Sequence, residues 1–166
     1  DKGVRIFVIP GNHDINVPHS VSLINNEAKP VEKTSPSDFE SIYANCGYSD
    51  AIKRDVASLS YVANIDENYW LLAIDASLYK EYKESSISNG KLSSDTEQWI
   101  IKVLQEAKEK NIRVISMMHH GLVEHFMYQS QFFAQYLVYD WNRLANLFAD
   151  HGVEIIFTGH FHANDI

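Results

Sequence analysis

The chain contains only one cysteine, Cys46, among its 166 residues. An internal disulfide is therefore impossible, and a metal site built on several thiolates is excluded as well. The neighbours of Cys46 are Tyr43, Ala44 and Tyr48, which favour a thiol packed at a helix end over a reactive nucleophile. The chemistry of this protein must rest on other side chains.

Long apolar runs and an excess of positive charge are also missing. No stretch approaches the roughly 20 apolar residues that a membrane-spanning helix needs. The first residues do not show the charged and then apolar pattern of a secretory signal. The 14 Lys and Arg residues face 22 Asp and Glu residues, which gives a net charge of −8. This balance disfavours wrapping of nucleic acid, but bound cations can still bring a small phosphorylated substrate to an acidic protein.

What the chain does contain is a series of short apolar segments that predict an α/β fold. Residues 4–9, 113–118 and 153–158 predict buried strands, and 59–63 with 69–74 predict a β-hairpin. The proline-interrupted residues between 15 and 36 predict a loop. Helices are predicted for residues 37–45, for 94–109 after a capping box that begins at Ser94, for 122–138 and for 139–150.

Three of the predicted strands are followed directly by motifs that contain histidine. In chain order these motifs are Gly11-Asn12-His13-Asp14, His119-His120 and Gly159-His160-Phe161-His162. Open α/β sheets build ligand sites at the carboxyl ends of their strands, and imidazole is the commonest protein ligand for transition metals. Each motif alone is also compatible with a polar turn or with surface histidines. Together they predict a metal site.

The residue types in these motifs indicate different tasks. Asn12 offers a neutral oxygen to a metal, whereas His13 offers a proton to a departing oxyanion. Asp14 is placed to orient His13 and to fix its tautomer. His160 and His162 are separated by one residue, so in an extended segment they project to the same side and reach a bimetal centre.

These motifs, in this order, resemble the last three motifs of the calcineurin-like metallophosphoesterases. The resemblance implies an α/β fold in which a mixed β-sheet with flanking helices forms part of a four-layer α-β-β-α sandwich. It implies hydrolysis of a phosphomonoester or phosphodiester by a water that two divalent metal ions activate, with Mn, Fe or Zn as the ions. It also extends to metallophosphoesterases of bacterial cell-envelope proteins, in which such a domain is often exported.

The resemblance also implies roles for individual residues. Asn12, His119 and His160 would bind one metal, and His162 would bind the other. His13 would face the leaving group, with Asp14 beside it. His119 is preferred to His120 as the ligand because the family ligand directly follows the apolar strand.

The first two motifs of the family, Asp-x-His and Gly-Asp-x-x-Asp, do not occur in this chain. We therefore expect residues 1–166 to form a single, incomplete metallophosphoesterase domain, in which the metal faced by His162 lacks its bridging carboxylate. The chain would then bind two ions, one or none, and a truncated, non-catalytic metal-binding fragment is the alternative to a hydrolase. A metal-dependent amide hydrolase ranks last, because it accounts for His-x-His but not for Gly-Asn-His-Asp.

Other polar and aromatic residues remain open to two interpretations. His19 and His125 could touch substrate or be exposed polar residues, and Asp75 could support the ligands from behind. His151 is predicted to cap the end of a helix, where an imidazolium is favoured. An aromatic group is predicted to be core or pocket wall rather than a platform for nucleic-acid bases, namely Tyr128, Tyr136, Tyr139 and Trp141.

Overall fold

The computed structural model describes residues 3–163 and shows an α/β fold built on a five-stranded mixed sheet. In chain order the strands are β1 (Val21–Ile24), β2 (Glu27–Pro30), β3 (Ala51–Arg54), β4 (Tyr61–Asn64), β5 (Tyr69–Ile74), β6 (Arg113–Met118) and β7 (Val153–Thr158). The helices are α1 (Pro36–Ile42), α2 (Ser94–Glu109), α3 (Gln129–Phe132) and α4 (Trp141–Asp150). Within residues 3–163, none of the helices combines the length and apolar character that crossing a bilayer requires.

The central sheet has the strand order β3-β4-β5-β6-β7. β3, β4 and β5 are antiparallel neighbours, whereas β5, β6 and β7 run parallel. The side chain of Asp66 closes the β4–β5 hairpin, since its Oδ1 accepts hydrogen bonds from the backbone N–H groups of Asn68 and Tyr69 at 2.8 and 2.9 Å. The parallel strands are joined through α2 and α4, as parallel pairs require. The predicted α/β class, the hairpin and the strands β6 and β7 are confirmed.

The main core lies between one face of the sheet and the helices α2 and α4. Ile100 and Leu104 of α2 and Phe148 of α4 are almost fully buried there against β5 and β6. Helix α2 begins at Ser94 as predicted, but its N-cap is Ser93 and not Ser94, because the side chain of Ser93 accepts a hydrogen bond from the backbone N–H of Thr96 at 3.1 Å. A second, smaller core on the opposite face includes the N-terminal segment and α1.

The prediction of a strand at residues 4–9 is wrong. The described backbone hydrogen bond of this segment runs from the Val8 N–H to the Cys46 carbonyl at 3.1 Å, so the segment joins no ladder of the sheet. The hydroxyl of Tyr61 donates to the Val8 carbonyl at 3.0 Å, which occupies the acceptor that a neighbouring strand would use. Val4 and Ile6 stay 85% and 59% exposed. Apolar, β-branched residues favour a strand, but a strand also needs an edge with which to pair.

Two further predictions differ from the structure. Residues 15–36 are not all loop, because β1 and β2 form a hairpin whose turn residues Asn25 and Asn26 both have positive φ angles, 53° and 64°. Asparagine tolerates that conformation, which is typical of tight hairpin turns. The predicted helix at 122–138 is reduced to α3 and a short 3₁₀ turn. Tyr128, with φ of 68°, interrupts it.

Candidate metal centre

Asn12, His119 and His160 meet at the carboxyl ends of two neighbouring parallel strands. His119 directly follows β6, and His160 follows β7 after Gly159. The Gly159 N–H donates to the His119 carbonyl at 3.0 Å, so the two loops remain joined beyond the strands. The Nε2 atom of His119 lies 2.9 Å from Asn12 Oδ1 and 3.0 Å from His160 Nδ1. Donor atoms of Asn12 and His160, from distant parts of the chain, therefore both lie within 3.0 Å of His119 Nε2.

This spacing fits a divalent cation. First-row ions bind protein nitrogen and oxygen at about 2.0–2.2 Å, so adjacent donor atoms of an octahedral shell lie about 3.0 Å apart. Asn12 is only 1% exposed, and its Nδ2 has no hydrogen-bond partner among the described atoms, whereas its Oδ1 faces His119. Without a cation, a proton on His119 Nε2 would hold the same three atoms together.

The tautomer of His160 is fixed from behind. Its Nε2 lies 3.1 Å from the Gln135 carbonyl oxygen, which can only accept, so Nε2 carries the proton and donates it. In the neutral ring Nδ1 then carries the lone pair that faces His119. A backbone carbonyl that orients a histidine in this way is a common feature of metal sites.

Gly11 allows the backbone to approach the His119 ring. A Cβ atom at Gly11 would lie 2.8 Å from both Nδ1 and Cε1 of His119, closer than real Cβ contacts. The turn that carries Gly11 is held by Asp14, whose Oδ2 accepts a hydrogen bond from the Gly11 N–H at 2.6 Å. Glycine therefore serves a close approach at this position, and the sequence alone could not reveal the partner.

The imidazoles of His119, His120 and His160 are neutral near physiological pH, because the pKa of each is lowered. Burial lowers the pKa of His119 to about 4, and the neighbouring His160 lowers it further. Burial also lowers the pKa of His120 to about 3, with a smaller contribution from His119. The pKa of His160 is lowered mainly by burial. Because loss of water disfavours the charged ring, these histidines present lone pairs rather than positive charges.

His120 lies beside this centre, with its ring centroid 5.0 Å from that of His119 and 4.9 Å from that of His160, but its Nε2 is hydrogen-bonded elsewhere. Its Nε2 donates to the Ser88 carbonyl at 3.0 Å, and the ring packs so tightly on Gly90 that a Cβ there would lie 2.4 Å from it. The side chain is fully buried. The structure thus places a ring nitrogen of His119, and not of His120, within hydrogen-bond distance of Asn12 and His160.

A cavity of about 300 Å³ opens at the centre. His13 and His162, both exposed, contribute to its lining. The other lining residues are Asn12, Ser88, His119, Gln135, Tyr136, His160 and Phe161. Asp14 makes its described hydrogen bond to Gly11 rather than to His13, so its predicted orientation of His13 stays a prediction.

The spacing of His160 and His162 predicted an extended segment, but the loop after β7 is not extended. His160 has a φ of 63° and His162 a φ of 57°, so both lie in the left-handed region. Non-glycine residues adopt this region infrequently, and such residues concentrate at functional sites. The fold of the loop turns His160 back onto His119 and leaves His162 at the cavity mouth.

Sequence reasoning missed two of the residues that shape this site. Ser88 and Gln135 line the cavity and contribute backbone carbonyls to His120 and His160. A backbone carbonyl leaves no trace in residue type, so no sequence signal could have identified them. The predicted pocket-wall role of Tyr136 is confirmed.

Asp75 lies beside a separate cavity of about 450 Å³. It is 4% exposed and accepts hydrogen bonds from the Tyr79 hydroxyl at 2.7 Å and from the Leu59 N–H at 3.1 Å. Burial raises the pKa of Asp75, and these hydrogen bonds oppose the rise. His151 ends α4 as predicted, since its Nδ1 donates to the Leu147 carbonyl at 2.8 Å.

Within residues 3–163, no group of three or more His, Cys, Asp or Glu side chains is arranged to hold a metal ion. The centre described above contains two such residues, His119 and His160, and completes its donor set with the carboxamide of Asn12. These residues fit one cation. In the same part of the chain, the second cation implied by His162 finds no comparable donor set.

The chain belongs to the calcineurin-like phosphoesterase family, whose model matches residues 1–164. This match confirms the resemblance carried by the three histidine motifs. The chemistry of the family is in general metal-dependent hydrolysis of phosphoesters. A comparison with curated proteins finds no significant match to this chain. The mixed sheet with its flanking helices is consistent with the fold of the family.

Proposed function

We propose that this chain is a metal-dependent phosphoester hydrolase in which Asn12, His119 and His160 hold one divalent cation. His162, at the same cavity, would supply one ligand to a second cation, for which residues 3–163 offer no comparable donor set. The observation that carries the proposal is the position of His119 Nε2, 2.9 Å from Asn12 Oδ1 and 3.0 Å from His160 Nδ1. Three protein donors leave coordination positions open for water and substrate. Imidazole and carboxamide ligands suit Mn, Fe or Zn.

The residues of the chain divide the work around the substrate. Divalent cations, when bound, polarise the phosphoryl oxygens of a monoester or diester and lower the pKa of the water that attacks in line. Gln135 keeps His160 in the tautomer whose Nδ1 is free of a proton. His13, at the exposed edge of the cavity, donates a proton to the oxygen that leaves.

The role of His13 is tested by His13→Ala in the whole chain, with 4-nitrophenyl phosphate as substrate and Mn²⁺ added. A general acid contributes about 10²–10⁴-fold to a rate, so turnover should fall within that range while metal content stays constant. His19→Asn is the matched control, because His19 is exposed and its φ of 59° suits asparagine. If His13→Ala lost bound metal and turnover to the same extent, His13 would act in metal binding and not in proton transfer.

A non-catalytic metal-binding module is the second candidate. The observation that favours it is that residues 3–163 form one such donor set, from Asn12, His119 and His160, together with the lack of Asp-x-His and Gly-Asp-x-x-Asp in the sequence. Metal analysis of the purified chain separates the candidates when it is combined with the hydrolysis assay. Two ions per chain with turnover support the hydrolase, whereas one ion without turnover supports the binding module. That residues 1–166 form one domain remains part of this proposal.

A further inference from the structure

Aromatic rings extend in a continuous row from the metal centre to the protein surface. Tyr136 contacts His160, with ring centroids 5.1 Å apart, and contacts Phe161 at 5.4 Å. Phe161 is 6.0 Å from Phe126, which is 5.9 Å from Phe133. We refer to Tyr136, Phe161, Phe126 and Phe133 as the aromatic wall. Its inner end, formed by Tyr136 and Phe161, lines the cavity of the metal centre.

The outer end of the aromatic wall is exposed to solvent. Phe126 and Phe133 are 41% and 46% exposed, and the adjacent Met127 and Phe132 are 75% and 73% exposed. A contiguous exposed apolar patch marks a binding surface, because single exposed apolar residues are ordinary but groups of them are not. Residues 122–138 contain no Lys or Arg, and their only acidic residue is Glu124. This surface therefore offers nothing to an anionic polymer and suits an uncharged apolar group.

Hydrogen bonds hold the segment that carries the aromatic wall. The fully buried Gln129 accepts a hydrogen bond from the His125 N–H at 2.7 Å, and Glu124 accepts one from the Ser130 N–H at 2.6 Å. The His125 ring stacks on Phe161 at 4.5 Å with an interplanar angle of 8°. The apolar surface is thus formed before a ligand arrives, which lowers the entropy cost of binding.

We propose that the aromatic wall binds the alcohol half of the phosphoester and that this half carries a large apolar group, either alkyl or aryl. The inference rests on the proposed function, because the phosphoryl group must lie at the metal centre for its substituent to reach Phe126 and Phe133. The series of ring contacts from His160 through Tyr136, Phe161 and Phe126 to Phe133 forms a continuous surface along which this substituent can lie. Burial of a CH₂ group strengthens binding about fourfold when complete, and about twofold on a half-exposed surface.

Alkylphosphonates carry a C–P bond in place of the ester linkage and therefore resist hydrolysis. They test the inference by calorimetry on the whole chain with Mn²⁺ present. We expect the dissociation constant to fall by roughly tenfold or more from butylphosphonate to octylphosphonate, while methylphosphonate binds weakly. The double variant Phe126→Ser/Phe133→Ser should lose most of that gain and should bind methylphosphonate as the unmodified chain does. Phe157→Ser is the matched control, since Phe157 is 62% exposed on β7 and lies outside the aromatic wall.

Three results would overturn the inference: affinity independent of chain length, equal loss of the gain in the Phe157→Ser control, or no binding of any phosphonate. A comparison of phenylphosphonate with hexylphosphonate identifies the group, and tighter binding of either one supports the inference. Hydrolysis of methyl phosphate and octyl phosphate separates this idea from the proposed function. If neither ester is cleaved but octylphosphonate still depends on Phe126, the hydrolase proposal fails alone. If both are cleaved equally well, the aromatic wall fails alone.

Discussion

Gly11→Ala should weaken metal binding without unfolding the protein. The added Cβ would lie 2.8 Å from the His119 ring, whereas ordinary contacts begin at 3.4 Å, so the ring must retreat by about 0.6 Å. That shift pulls Nε2 away from Asn12 Oδ1 and His160 Nδ1, and sites of this kind require their groups to be placed within about 0.5 Å. We expect a loss of about 10–100-fold in metal affinity, equivalent to about 1.4–2.8 kcal/mol.

Calorimetric titration with Zn²⁺ or Mn²⁺ measures this effect, and Gly159→Ala supplies the control. A Cβ at Gly159 would lie 3.7 Å from the same His119 ring, an ordinary contact, and neither glycine has a positive φ. Gly159→Ala should therefore bind metal nearly as the unmodified chain does, and both variants should melt near its temperature. Full metal affinity in Gly11→Ala, or an equal loss of affinity in the two variants, would show that the close approach of Gly11 to His119 does not matter for metal binding.

Two predictions concern stability and its dependence on pH. Arg143 of α4 forms two hydrogen bonds to Glu97 of α2 at 2.7 and 2.8 Å and lowers the pKa of Glu97. A carboxylate whose pKa is lowered in the folded state stabilises the protein at pH values above its unfolded-state pKa of 4.5, and this stabilisation is lost as the pH falls. Arg143→Met should therefore lower the free energy of unfolding by about 0.5–1 kcal/mol at pH 7 and by almost nothing near pH 3. Urea unfolding at both pH values checks this, and equal costs would contradict it. Tyr79→Phe removes a donor to the buried Asp75, whose pKa is already raised. The ionised form of Asp75 is then less stable in the folded protein, so we expect the free energy of unfolding to fall by about 1–3 kcal/mol at pH 7 and by less towards pH 4. The same urea series measures this difference. A loss that grew on acidification would exclude an ionised Asp75 as the cause.

Elements that depend on local sequence were predicted well. The β4–β5 hairpin follows from two apolar runs separated by a polar turn, and α2 follows from its cap and its amphipathic spacing. Residues 4–9 carry an equally good strand pattern, but pairing depends on a distant edge, which propensity does not report. The prediction of a helix over residues 122–138 was wrong. The Gln129 side chain accepts a hydrogen bond from the backbone N–H of His125, and this bond competes with the helical hydrogen bonds and favours a turn.

In the site, too, the features that follow from local sequence were predicted and the contacts between distant segments were not. Parallel strands place their carboxyl ends at one edge of a sheet, so the motifs after β6 and β7 predicted that His119 and His160 would be close together. The left-handed backbone of His160, its hydrogen bond to the Gln135 carbonyl and the approach of Gly11 to the His119 ring are contacts between distant segments. No spacing or residue type encodes them.

The proposed metal centre is one cation held by Asn12, His119 and His160. Anomalous diffraction at the zinc absorption edge, from crystals of the chain grown with Zn²⁺, tests it directly. We expect a peak about 2.0–2.2 Å from Asn12 Oδ1, His119 Nε2 and His160 Nδ1. Zinc bound only elsewhere, or a cavity that contains water with the three side chains joined by hydrogen bonds, would contradict it.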